Sequence, residues 1–298
     1  MTTTTTRSTA GRFLAALVGC ALLPLFVSSS SAGPLDPPSG PTEATGVRLL
    51  FPQFATGLTT IDEPGQYRLM GDASFNGLPG TGSILIEASD VVLDLNGFKL
   101  SGPGSTGTGS GAASTSTLER IIIRNGEISG WNFGFVADPD NVTGLIFENV
   151  EFIRIRALAI AAGDGVIIRD CVFLDCADVG EVVSVRDNAI IERCEFRDCF
   201  AEAIVLRAGG VVRNNTFDGV FVAIQGADND RLEGYNRILD NTINDVSRGI
   251  DFDTNNPLQL IYRNVITDAI NAAIDAAASD QPQAFSSVGA LPLSNFID

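Results

Sequence analysis

Asp251, Asp253 and Asp275 are the residues whose types and spacing best suit chemistry. Alternation along a strand puts Asp251 and Asp253 on one side of the chain, about 7 Å apart. Asp275 follows Asp251 by 24 residues, which is one unit of the repeat described below, so it would lie about 5 Å away on the neighbouring strand. Three carboxylates at that separation repel one another unless a proton or a cation intervenes. Calcium (Ca2+) accepts several carboxylate oxygens in flexible geometry and suits such a patch. Asp251 and Asp253 would also satisfy the separation of about 6.5–9.5 Å that inverting glycoside hydrolysis requires, provided one carboxyl stays protonated. A solvated acidic face is the favoured reading of the same three residues, since the chain carries a net charge of −17. Asp228 and Asp230 in the loop 226–231 would lie at the same end, as cation ligands or as ordinary turn residues.

Gln225, one unit before Asp251, joins the outward row, and Arg186 and Arg207 occupy a second outward row two residues further on. In this reading Phe135, Leu158, Val183, Ile204, Ile224, Ile250 and Ile274 point inward, and Ala159, Ser184 and Val205 extend the outward row. The chain has no histidine, which excludes any mechanism with a histidine base, and its one lysine, Lys99, is remote from the aspartates.

A short repeat must position these residues. One sentence is written twice in 165–199, ending at Cys176 and again at Cys199. The same apolar slot recurs at Ile128, Phe152, Phe173, Phe196, Phe217, Ile243 and Ile266, with steps of 24, 21, 23, 21, 26 and 23 residues. Units this short, built from β-branched runs, cannot bury their own apolar faces and must stack. The pattern predicts an all-β, right-handed parallel β-helix, a solenoid of about eight coils roughly 38 Å long. Residues 61–298 make the β-helix domain, 33–60 a flexible leader whose apolar stretch 47–54 would cap the open end, and 103–116 a Gly/Ser/Thr loop projecting from the stack.

Two residues before the slot, Asn215, Asn241 and Asn264 fall one coil apart, as a hydrogen-bonded ladder at a bend requires. Asp175, Asp198, Asp245 and Asp268, with Gly219 in the same series, follow the slot and read as turn residues. Cys171 to Cys194 and Cys176 to Cys199 are both 23 residues, the period of the fold. Buried thiol rows, disulfides between coils and a zinc site are the three readings, in that order.

Residues 1–32 read as a secretory signal peptide, with Arg7 and Arg12 ahead of an apolar run and small residues before Gly33. Lipidation at Cys20 is the competing reading. Removal leaves 298 − 32 = 266 residues with no transmembrane segment, and the loss of two arginines takes the net charge to −19. Such acidity argues against nucleic acid as a partner. Secretion, the periplasm or the cell surface is the expected destination.

Asn-Asn-Thr-Phe at 214–217, Asp-Asn-Thr-Ile at 240–243 and Val-Val-Leu-Asp-Leu-Asn-Gly from Val91 resemble exported bacterial right-handed β-helix proteins of the pectate-lyase-like superfamily. The resemblance spans roughly 61–278. It implies a polysaccharide or the cell surface as partner and, in the lyase members, acidic side chains that hold calcium against a uronate carboxylate. By that likeness Asp251, Asp253 and Asp275 are the metal ligands, Arg207, or less well Arg186, is the base that removes the C5 proton, and Arg186 and Gln225 contact substrate. The Gly-His-Gly pattern of polygalacturonases is absent. The alternative implied by the same fold is a non-catalytic surface scaffold or adhesin.

Overall fold

The computed structural model describes residues 46–50, 58–75, 83–104, 109–226, 235–252, 259–276 and 296–297. All lie within one unit, Glu43–Asp298. Every strand pairs in parallel with its counterpart one coil away, forming a β-solenoid with three faces. The first face includes Ile167–Arg169, Ile190–Glu192 and Val211–Arg213; the second includes Val172–Leu174 and Glu195–Arg197; the third includes Glu181–Val185 and Glu202–Leu206. Val47–Leu50 adds a strand beside Gly65–Leu69, so the stack extends ahead of Ile61. The signal-peptide and leader readings, apart from that strand and 58–60, fall outside the described residues.

The apolar slot fills the interior as the spacing requires. Ile128, Phe152, Phe173, Phe196, Phe217, Ile243 and Ile266 are consecutive register partners. Four of them stack ring on ring, with centroids 5.1, 4.5 and 4.9 Å apart. All seven are wholly buried.

The chain turns from the first face to the second on a single left-handed residue in each coil: Asn125, Asn149, Asp170, Arg193, Asn214, Asp240 and Arg263. Asparagine and aspartate tolerate that conformation, whereas arginine does not favour it. Arg193 and Arg263 are compensated by ion pairs to the left-handed aspartate one coil earlier, Asp170 at 2.8 Å and Asp240 at 2.6 Å. The residue after each corner points inward. Asn241 donates to Asn264 Oδ1 at 2.9 Å and accepts from Asn215 Nδ2 at 3.0 Å, so the predicted ladder is present and buried. In earlier coils that position is Cys194 or Cys171, and Cys194 N–H donates to Asn215 Oδ1 at 2.8 Å, joining the thiol row to the amide row.

The four cysteines among the described residues are free and buried. Burial first, and then the neighbouring thiols Cys199 and Cys171, push the Cys176 and Cys194 thiols well up, which suits core packing and not nucleophilic chemistry. The second corner also uses left-handed residues, among them Arg154, Asp175, Asp198, Gly219, Asp245 and Asp268. The turn reading of those aspartates is thus realised in the backbone.

One expectation needs correction. Ser110–Ser114 is not part of a projecting loop but a strand of the third face, paired with Phe133–Ala137 on one side and Ile84–Ile86 on the other. Its small residues are dictated by bulk on the inside, because a Cβ at Gly111 would meet Ile128 Cγ2 at 2.6 Å and Gly134 O at 2.9 Å. Composition alone hides such a strand.

Candidate functional site

The third face carries the residues singled out above. Ser184, Val205, Gln225, Asp251 and Asp275 are register partners in consecutive coils. Upstream the register differs from expectation: Ile160, not Leu158, aligns with Phe135 and Val183, and Ala161, not Ala159, extends the outward row. Ala159 is buried. The cause lies in the preceding turn. From slot to inward residue the chain uses seven residues in Ile128 to Phe135, eight in Phe152 to Ile160, ten in Phe173 to Val183 and eight in Phe196 to Ile204. A fixed period therefore fails across that corner.

Arg186 and Arg207 come together, lining with Glu181 and Ser184 an open groove of about 280 Å³ at the end of the third face. Arg186 is half-buried and paired with Asp140. Arg207 has no ion-pair partner among the described residues. Its backbone is nevertheless held: the buried Asn236 donates to Arg207 O at 2.7 Å and accepts from Gly210 N–H at 2.8 Å, clamping the turn that follows it. An unneutralised guanidinium beside a second arginine is suited to a carboxylate, which it can bind through paired charge-assisted hydrogen bonds.

Asp251 accepts from Arg248 Nη1 at 2.6 Å, so a cation already stands beside it. Asp275 is its register partner in the next coil. The side chain of Asp275, with Asp253, Asp228 and Asp230, lies outside the described residues. Among the described residues no three carboxylates or thiols converge to hold a metal. The described part of the patch therefore does not make a calcium site by itself.

Sequence reasoning missed Asn236 and the glutamates. Glu181 and Glu202 are register partners on adjacent strands, both half-buried on this face. Their spacing of 21 residues equals that of Arg186 and Arg207, a signal that was open to view. Asn236 gives no such sign, because its role depends on a turn one coil away.

The first face is organised differently. Arg68, Asp94, Arg124, Glu148, Arg169, Glu192 and Arg213 succeed one another in register, alternating in sign along the stack. Asp94 pairs with Arg124 at 3.2 Å, Glu148 with Arg169, and Glu192 with Arg213 at 2.5 Å. Burial opposes the charge on Glu192, but hydrogen bonds from Arg213 and Arg193 outweigh it and hold the carboxyl below its ordinary value. A hydrogen bond from Arg193 likewise lowers Asp170.

A family model described as right handed beta helix region matches residues 72–233. Among solved structures the chain is similar to the Dettilon tailspike protein (gp208), with TM-score 0.56, 11% identity, and coverage of 74% of this chain and 47% of that one. It thus spans about half the length of the tailspike, and the likeness is one of fold. The Azotobacter vinelandii mannuronan C-5 epimerase AlgE6 A-module matches with TM-score 0.41 and 12% identity over 85% of this chain and 89% of that one. Geobacillus virus E2 ORF18 matches with TM-score 0.35 and 10% identity over 73% and 52%. No curated protein sequence matches the chain.

Proposed function

The chain belongs to the right-handed β-helix family, and from that premise we propose that it is an exported protein that binds or processes an acidic polysaccharide along its third face. The observation that carries this reading is Arg207: a guanidinium without an ion-pair partner among the described residues, lining an open groove beside Arg186, on a backbone that Asn236 anchors. On a chain of net charge −17 such a spot is a local exception. Strands repeating every ~4.8 Å along the stack give a linear polymer a row of polar contacts. Ser184, Gln225 and the Glu181–Glu202 pair supply hydroxyl, amide and carboxylate partners for sugar hydroxyls on the same face. The reading of 1–32 as a signal peptide supports export, and no helix among the described residues is long and apolar enough to cross a membrane.

The finer form of this proposal is β-elimination on a uronate polymer. Calcium held by Asp251, Asp253 and Asp275 would neutralise the uronate carboxylate. Asp251 would then exchange Arg248 for the ion, Arg207 in its neutral form would take the C5 proton, the C4–O bond would break as the C4=C5 double bond forms, and water would protonate the departing glycosidic oxygen. The test is ultraviolet absorbance of unsaturated products on a panel of uronate polymers, with and without calcium, for wild type and Arg207→Ala. Calcium-dependent product that vanishes in Arg207→Ala supports the lyase. Binding without product supports the coarser reading alone, and no binding to any uronate polymer moves the chain to a non-catalytic rod.

A further inference from the structure

The corner between the second and third faces forms a ridge separate from the Arg186–Arg207 groove. Backbone hydrogen bonds from Gly102 to Ser129, Gly130 to Ile153, Arg154 to Leu174 and Asp175 to Arg197 place its turns one coil apart along the axis. At one end is a pocket of about 450 Å³ lined by Arg154, Arg156, Asp175, Asp178 and the two serines Ser101 and Ser129. Its floor is kept low by glycine: a Cβ at Gly102 would meet Gly130 O and Trp131 Cδ2, each at 2.5 Å. Trp131 cannot withdraw, being buried with its Nε1–H donating to Leu100 O at 2.9 Å.

The charges in this pocket do not satisfy one another. Neither Arg154 nor Arg156 forms an ion pair among the described residues, although two carboxylates line the same space. Arg120, Arg124, Arg169, Arg193, Arg213 and Arg263 are all matched to a carboxylate. Separated guanidinium and carboxylate groups around an open volume provide donors and acceptors at once, which is what neighbouring hydroxyls and a ring carboxylate of a sugar require.

Further along the ridge stand two phenylalanines that the core does not use. Phe200 is 65% exposed and Phe221 48% exposed. Phe200 N–H donates to Cys176 O and Phe221 N–H to Cys199 O, which sets the two rings' attachment points in adjacent coils. Large exposed apolar side chains grouped in this way mark contact surfaces. A flat ring offers its face to the C–H face of a pyranose. From the Ser101 coil to the Phe221 coil is five coil spacings, about 24 Å, the reach of a short oligosaccharide.

The geometry points to a second saccharide site along this ridge, in which Arg154 and Arg156 take the carboxylate of a uronate residue, Asp175 and Asp178 accept from its hydroxyls, and Phe200 and Phe221 support the following sugars. For its ligand class it rests on the polysaccharide reading, but it does not depend on the groove. Galacturonate and mannuronate oligosaccharides titrated calorimetrically at low and high salt provide the test. Wild type is compared with Arg154→Ala/Arg156→Ala, Phe200→Ala/Phe221→Ala and Arg207→Ala; all these side chains are at least partly exposed, so the fold survives. The arginine double variant weakens binding by about tenfold or more and flattens its salt dependence. The phenylalanine double variant weakens it severalfold and leaves the salt dependence intact. Both doubles binding as wild type while Arg207→Ala fails overturns the ridge and keeps the groove. Loss in the doubles with Arg207→Ala unchanged keeps the ridge and overturns the groove. No binding by wild type overturns both.

Discussion

On the first face, charges from Asp94 to Arg213 alternate in sign from coil to coil and pair off one coil apart. On the groove and ridge, Arg154, Arg156 and Arg207 stand beside carboxylates or open space without forming ion pairs among the described residues. Both regions use the same residue types on the same repeating scaffold. Matched charge on the first face is a device for stacking, since a slip of one coil would set arginine against arginine and glutamate against glutamate. Unmatched charge elsewhere contributes nothing to the stack and is available to a ligand. Arg68 and Arg237, on first-face strands, also form no ion pair among the described residues, so an unneutralised arginine points to a ligand where, as in the groove and the ridge pocket, it lines an open volume.

The largest expected effect breaks what both regions depend on. Phe196 stacks between Phe173 and Phe217, and Phe196→Ala should cost about 3–5 kcal/mol, read as a lowered denaturant midpoint. Binding and stability then fall together, which distinguishes a core lesion from a site lesion. Next comes the ladder. Glu192→Ala leaves the half-exposed Arg213 without its carboxylate and Arg193 with Asp170 alone, and should cost about 1.5–3 kcal/mol, the worth of hydrogen bonds to a charged group, with saccharide binding unchanged.

Acid should act on the same ladder. Asp170 and Glu192 have folded pKa values below their ordinary ones. Their stabilisation is therefore present above the unfolded value, near about 4, and is lost as pH falls through the folded value. The melting temperature should decline across that interval, and Glu192→Gln should flatten the decline. An identical slope in the variant would remove the ladder from the explanation. The smallest effect is expected from Arg154→Ala/Arg156→Ala, whose stability should stay within about 0.5 kcal/mol of wild type although its binding does not.

Much of this fold could be read from the sequence because solenoid packing repeats what local chemistry requires. The phenylalanine slot, the Asn215–Asn241–Asn264 ladder and the aspartates at left-handed corners each announce themselves once per coil, and each is found in place. Legibility ends where the period does. The corner between the second and third faces changes length from coil to coil, so Leu158 and Ala159 were placed two residues out of register. Ser110–Ser114 resembled a loop because its side chains had to be small beneath Ile128. The groove was half legible: Arg186 and Arg207 share one period, but the clamp from Asn236 and the pairing of Arg248 with Asp251 arise from contacts that no spacing encodes.

The most direct measurement is the affinity of galacturonate oligosaccharides for three proteins side by side: wild type, Arg207→Ala with its unmatched arginine removed, and Arg213→Ala with a matched one removed. Loss of about tenfold or more in the affinity of the groove's binding event in Arg207→Ala, with Arg213→Ala binding as wild type, is the result expected if unmatched arginines make the binding face. Equal loss in the two variants, or loss in Arg213→Ala alone, would contradict it.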